Sequence, residues 1–112
     1  MRDDRQRLAD MLEAIENIER YINSESDSRL LADDELLNVW VIHHLQIIGE
    51  AASKLSDAFR ESHSEVAWGG MIGMRHVLVH GYFETNNVLV WKVIERDLPL
   101  LKVQLTKILA KE

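Results

Sequence analysis

Apolar side chains recur at intervals of three and four residues through most of this chain, and that periodicity commits it to helices. Leu8, Met11, Leu12, Ile15, Ile18 and Ile22 form the first stripe behind Asp3 and Asp4, which predicts a helix over about residues 4–22. The run Asn23-Ser24-Glu25-Ser26-Asp27-Ser28 has nothing to bury and is rich in turn residues. It reads as an exposed connection with some helical character near Leu30 and Leu31. Asp33 or Asp34 then caps a longer second helix carrying Leu36, Leu37, Trp40, Val41, Leu45, Ile47, Ile48, Ala51, Leu55 and Phe59, with no helix breaker except Gly49.

The second helix carries apolar residues on more than one face, whereas a surface helix of a monomer normally shows a single stripe. That width predicts a central place in the bundle together with a second face buried by another copy. A third helix over roughly Ala67 to His80 contains Gly69, Gly70 and Gly73. Each glycine costs about 1 kcal/mol relative to alanine in a helix interior, so close approach of a neighbouring backbone is expected there. Gly81 follows the last apolar position as a natural stop. Asn86 or Asn87 opens a fourth helix with Trp91, Ile94, Leu98, Leu101, Leu105 and Ile108. Pro99 inside it removes a hydrogen bond and presses on the Glu95 carbonyl, which predicts a kink or a break into two shorter helices. The expected fold is all-α, an up-and-down bundle of four to five helices forming a single domain over residues 1–112.

Composition narrows the function classes. The chain contains no cysteine, which removes disulfides, thiolate metal sites and cysteine nucleophiles together. Its start, Met1-Arg2-Asp3-Asp4-Arg5, is charged, and charges interrupt every window short of the roughly 18 apolar residues of a membrane span. A cytoplasmic protein with no membrane contact is expected. Thirteen Lys and Arg against 19 Asp and Glu give a net charge of −6, which argues against indiscriminate polyanion binding. Positive charge gathers locally, at Lys92, Arg96, Lys102, Lys107 and Lys111, so a bound nucleic acid would run near the last helix and Arg75.

Candidate chemistry sits on Arg75-His76-Val77-Leu78-Val79-His80-Gly81-Tyr82. Arg75 and His80 are five residues apart, about 140° around a regular helix, so they converge only on a ligand in a groove crossing the helix end. There an arginine binds phosphate through paired donors and a histidine exchanges a proton near neutral pH. That pair is the minimum equipment for metal-independent RNA cleavage, in which the RNA's own 2′-hydroxyl attacks the adjacent phosphate. From spacing alone, a surface arginine and a helix-end histidine facing the dipole are the common alternative. His76 and His80 are four apart but lack a third ligand, so no metal site and no cofactor is expected. Of His43 and His44, one reads as packed and the other as its solvated neighbour. Trp40, Trp68 and Trp91 read as core or interface anchors, and Glu50 as a partly buried carboxylate with a local partner.

Arg75, His80 and Tyr82 fit R-x4-H-x-Y, and with Ile47-Ile48-Gly49-Glu50-Ala51, Trp68, Gly73-Met74-Arg75 and Asp97-Leu98-Pro99 the chain resembles the HepT-like ribonuclease toxins, a branch of the HEPN superfamily. The resemblance spans roughly residues 36–105 and implies a homodimer whose two motifs face one another across an RNA-binding cleft. It implies Arg75 as stabiliser of charge on the scissile phosphate and His80 as general acid or base, with His76 and Glu50 in supporting roles. It further implies a nucleotidyltransferase antitoxin as partner, transferring AMP onto Tyr82 and so filling the cleft with bulk and negative charge. A second reading from a different class is a helical module that binds a nucleotide or docks a partner without catalysis.

Overall fold

The computed structural model describes residues 3–22, 26–27, 29–79 and 87–111, and all regular structure among them is helical. Helix α1 (Asp4–Glu19) opens on a reciprocal cap: the Asp3 carboxylate accepts from the Gln6 backbone N–H at 2.8 Å, and the Gln6 side chain accepts from the Asp3 N–H at 2.9 Å. Its stripe Leu8, Met11, Ile15 and Ile18 is fully buried. The short α2 (Arg29–Asp33) occupies the helical patch expected near Leu30, and inserts Leu31 into the core. Asp34 caps α3 (Glu35–Ser53) by accepting from the Leu37 N–H at 3.0 Å.

Helix α3 is the centre of the bundle, packing along α1 on one side and α5 (Trp68–Val79) on the other. Val41, Leu45, Ile48 and Ala52 are buried completely, and fully burying an aliphatic side chain of Leu or Ile size is worth about 1.5–3 kcal/mol. The central position expected from the width of its apolar surface is therefore observed. Its length is shorter than the periodicity suggested: the helix stops at Ser53, and Phe59 belongs to a separate helix α4 (Asp57–Ser62). The junction is held by a contact from far away in sequence as well as by a local cap. The Asp4 carboxylate accepts from the Ser56 N–H at 2.9 Å and the Ser56 hydroxyl at 2.7 Å, while that hydroxyl oxygen accepts from the Phe59 N–H and starts α4.

The last helical stretch comprises α6 (Asn87–Lys92), a π-helical turn (Val93–Asp97) and α7 (Leu98–Lys111). The break expected at Pro99 takes the form of this wider turn, in which the Leu98 N–H reaches back five residues to the Val93 carbonyl just before the proline. Leu98, Leu101, Leu105 and Ile108 close the core, and α7 packs on α1. Lys102 and Glu19 tie these two helices at 2.8 Å, so one cation of the basic C-terminal stretch belongs to the scaffold. No helix among the described residues is long and apolar enough to cross a membrane.

Candidate active site

Helix α5 is held at both ends by its inward side. At its start the Trp68 indole N–H donates to the His63 carbonyl at 3.0 Å, and the ring is buried; near its end Leu78 is buried. Met71, Ile72 and Met74 are partly buried between these anchors. Arg75 lies on the same inward half, partly buried, with the first carbons of its side chain directly over Gly49 of α3. Here the two helices come closest. A Cβ at Gly49 would overlap the Cβ of Arg75 and stand 2.8 Å from the Met71 carbonyl oxygen.

The close approach expected of the α5 glycines is thus found on the other helix. Among the described residues, a Cβ at Gly69 or Gly73 would meet nothing within 4 Å, and one at Gly70 would meet only the Ala67 side chain at 3.9 Å. Gly69, Gly73 and His76 follow one another at four- and three-residue spacing on the outward side of α5, all exposed. Among the described residues the glycines make an open face.

Glu50, next to Gly49, is exposed and forms an i,i+4 ion pair with Lys54 at 3.1 Å. The hydrogen bond and charge of Lys54 hold its carboxyl below the usual carboxylate range, and the charges of Arg75 and Arg7 act in the same direction. The local partner expected for Glu50 is therefore Lys54, on a carboxylate more solvated than its sequence context suggested, and Arg75 reaches it through charge. Arg7 and Lys54 went unnoticed in the sequence; the i,i+4 spacing of Glu50 and Lys54 was the available signal. Arg7, Glu50 and Lys54 line one end of a cleft of about 410 Å³ between α1 and α3, whose remaining wall includes Asp10, Glu13 and His44.

His43 and His44, and two of the three tryptophans, sort as their positions suggested, whereas Trp40 is not in the core. His44 is 5% exposed, with its Nδ1–H donating to the Trp40 carbonyl at 2.7 Å and its Nε2 3.3 Å from the Asn17 amide, whereas His43 is exposed. Both nitrogens of His44 are committed to the scaffold. Trp68 and Trp91 are buried anchors, and Trp40 lies at the surface with its indole N–H donating to the Asn17 carbonyl at 3.2 Å. His80, Gly81 and Tyr82 lie outside the described residues, as do Asn86 and the rest of the connection to α6. The structure accordingly places Arg75, His76 and Glu50. It brings Arg75 and Glu50 into electrostatic range and sets His76 on the outward side.

Two exposed apolar strips flank this region. On α3, Leu36, Val39, His43, Ile47 and Glu50 share one face, with Leu36 84% and Val39 60% exposed. On α5, Val77 continues the outward glycine face, and Val79, one turn beyond Arg75, is exposed at the end of the helix.

The described residues form an all-α bundle, and the sequence carries R-x4-H-x-Y from Arg75 onward, the combination that the comparison with known families bears on. Residues 11–108 match the model of the family described as "Ribonuclease HepT-like", and the chain belongs to that family. It is 36% identical over 101 residues to a Thermococcus cleftensis protein named "Probable ribonuclease HepT", covering 90% of this chain and 91% of the relative. A Methanocaldococcus jannaschii protein named "Putative RNase" is 33% identical over 101 residues, 90% of this chain and 92% of its own length. A Caldanaerobacter subterraneus protein of the same designation is 42% identical over 79 residues, 70% of each chain. No solved structure matches.

Proposed function

We propose that this protein is the toxin of a toxin–antitoxin pair, an endoribonuclease that cuts RNA without a metal at a site completed by two copies of the chain. The observation that carries this reading is the match to the HepT-like ribonuclease family across the segment that holds Arg75, His80 and Tyr82. In the reaction, the 2′-oxygen of one ribose attacks the adjacent phosphorus, the bond to the 5′-oxygen breaks, and the products carry a 2′,3′-cyclic phosphate and a 5′-hydroxyl. Arg75 stabilises the charge that develops on the phosphoryl oxygens, and His80 transfers the proton that the leaving oxygen requires. His76 assists from the same helix, and Glu50 with Lys54 and Arg7 sets the field around the arginine.

The partner copy is supported by what α3 and α5 leave uncovered. Leu36 and Val39 on α3 and Val77 and Val79 on α5 are exposed apolar residues, and among the described residues nothing fills the space in front of Gly69 and Gly73, surface that self-association would bury. In the proposed regulation, a nucleotidyltransferase antitoxin catalyses attack of the Tyr82 phenol oxygen on the α-phosphorus of ATP. Pyrophosphate departs, and the attached AMP blocks RNA by volume and by charge.

Cleavage of RNA by the purified protein in EDTA tests the enzyme, with Arg75→Ala and His80→Ala alongside wild type. Loss of cleavage in both variants is the expected result, and equal activity in all three would remove these residues from the site. An inactive wild type that binds ATP or a nucleotidyltransferase would favour the non-catalytic module. Mass spectrometry of the chain co-expressed with a nucleotidyltransferase partner tests the regulation: AMP mapping to Tyr82 supports it, whereas an unmodified Tyr82 in a stable inactive complex means occlusion.

A further inference from the structure

Gly49 stands inside a 19-residue helix, where glycine costs about 1 kcal/mol relative to alanine. Its surroundings explain the cost. The atoms a Cβ would meet are the Cβ and Cγ of Arg75 and the backbone oxygen of Met71, none of them the free end of a side chain that can swing aside. Any residue larger than glycine therefore forces α5 away from α3, by roughly the half to one ångström that restores ordinary contact distances.

The group displaced by such a retreat is the stem of Arg75. Of the other inward residues of α5, Met71 and Met74 are long and flexible and can follow a small shift of their helix. A guanidinium that must meet a phosphate through two parallel hydrogen bonds has far less latitude. We infer that Gly49 is a positioning residue for Arg75: by lacking a side chain it sets how deeply the arginine stem is seated, and so where the guanidinium stands at the mouth of the site. This rests on the reading of Arg75 as the phosphate-stabilising residue. Glu50, the next residue, completes the arrangement by placing a carboxylate within charge range of the same arginine.

The test is a cycle of four proteins: wild type, Gly49→Ala, Arg75→Ala and the double variant, each assayed for RNA cleavage and for helix content by circular dichroism. Gly49→Ala should lower kcat roughly 100-fold with a smaller change in KM, the scale of loss expected from an ångström of misplacement. In the Arg75→Ala background the same substitution should leave the residual rate unchanged. Arg75→Ala keeps the Cβ that the new methyl meets, so any general damage to the helix crossing is present in both backgrounds. Leu105→Ala, in the buried core on α7, supplies a destabilised variant that should retain wild-type kcat while folded. Equal losses in both backgrounds, or full activity in Gly49→Ala, would overturn the positioning role. Should Gly49→Ala fold poorly, trimethylamine N-oxide favours the compact state and all four proteins are assayed in it.

A readout independent of turnover separates this inference from the enzyme assignment. The Arg75 Nε–H resonance in NMR spectra should move in Gly49→Ala and stay in place in Leu105→Ala. If wild type does not cleave RNA, the role of Arg75 in cleavage fails, and an unmoved resonance would then refute the seating by Gly49 as well.

Discussion

Helices α3 and α5 use glycine in opposite ways. At Gly49 on α3 the missing side chain is filled at once by the neighbouring helix, with the stem of Arg75 and the Met71 carbonyl in the space. At Gly69 and Gly73 on α5 nothing among the described residues comes within 4 Å to fill it. A glycine that admits a neighbour within the chain is accounted for by the monomer, and a glycine that faces open space is not. The inward side of α5 is therefore fixed by the fold, and its outward side has the character of a surface awaiting a second one. Arg75 sits on the fixed side, His76 on the open side.

This contrast is open to attack at each level. Arg75→Ala removes the arginine from the fixed side without opening a core cavity, so RNA cleavage should fall by about 10²–10³ while helix content and melting stay close to wild type. A large loss of stability would mean that the arginine is mainly packing. Leu45→Ala, in the fully buried face of α3 under the crossing, should cost about 2–5 kcal/mol in denaturant unfolding, with activity retained in the folded fraction. A near-neutral result would show that the central position of α3 is overstated.

Gly73→Ala probes the open side. In dilute, dissociated protein it should stabilise the fold by up to about 1 kcal/mol, because a better helix former meets no obstacle. At high concentration the same methyl should weaken self-association, and the two effects separate in melting curves taken across a concentration series. Gly49→Ala should destabilise at every concentration.

The smallest effect belongs to Glu50. Because Lys54 lowers its carboxyl in the folded state, the pair contributes stability that is fully present above the ordinary glutamate range and is lost as pH falls through the lowered folded value. The group is half exposed and screened, so its worth is about 0.3–0.5 kcal/mol. Glu50→Gln should flatten that part of the acid limb of a pH–stability curve and leave neutral-pH melting almost unchanged.

Much of this organisation was legible in the sequence, and the exceptions share a cause. The caps at Asp3 and Asp34, the buried stripe of α1 and the central α3 follow from local chemistry and three-to-four spacing, which one stretch of chain specifies alone. The stop at Ser53 was not read, although Ser56 caps α4 locally; the contact that holds this junction comes from Asp4, at the other end of the sequence. The close approach at Gly49 was equally hidden: three glycines on α5 outweigh one on α3 until the partner across the crossing is known. At the candidate site, the motif and its Ile-Gly-Glu-Ala companion singled out Arg75 and Glu50, the i,i+4 spacing already offered Lys54 as the partner of Glu50, and only the field of Arg7 emerges when α1 and α3 are side by side. Pro99 announced a disruption but not its form, since a π-helical turn and a kink answer the same lost hydrogen bond.

The central claim is that the open faces of α3 and α5 meet a second copy and that RNA is cut only there. Sedimentation and RNA cleavage measured together, on wild type and on Leu36→Asp across a range of concentration, test it most directly. Specific activity should rise with the dimer fraction of the wild type, and Leu36→Asp should remain monomeric, helical and inactive with Arg75 and His80 intact. Full activity from a monomeric Leu36→Asp protein would contradict the claim.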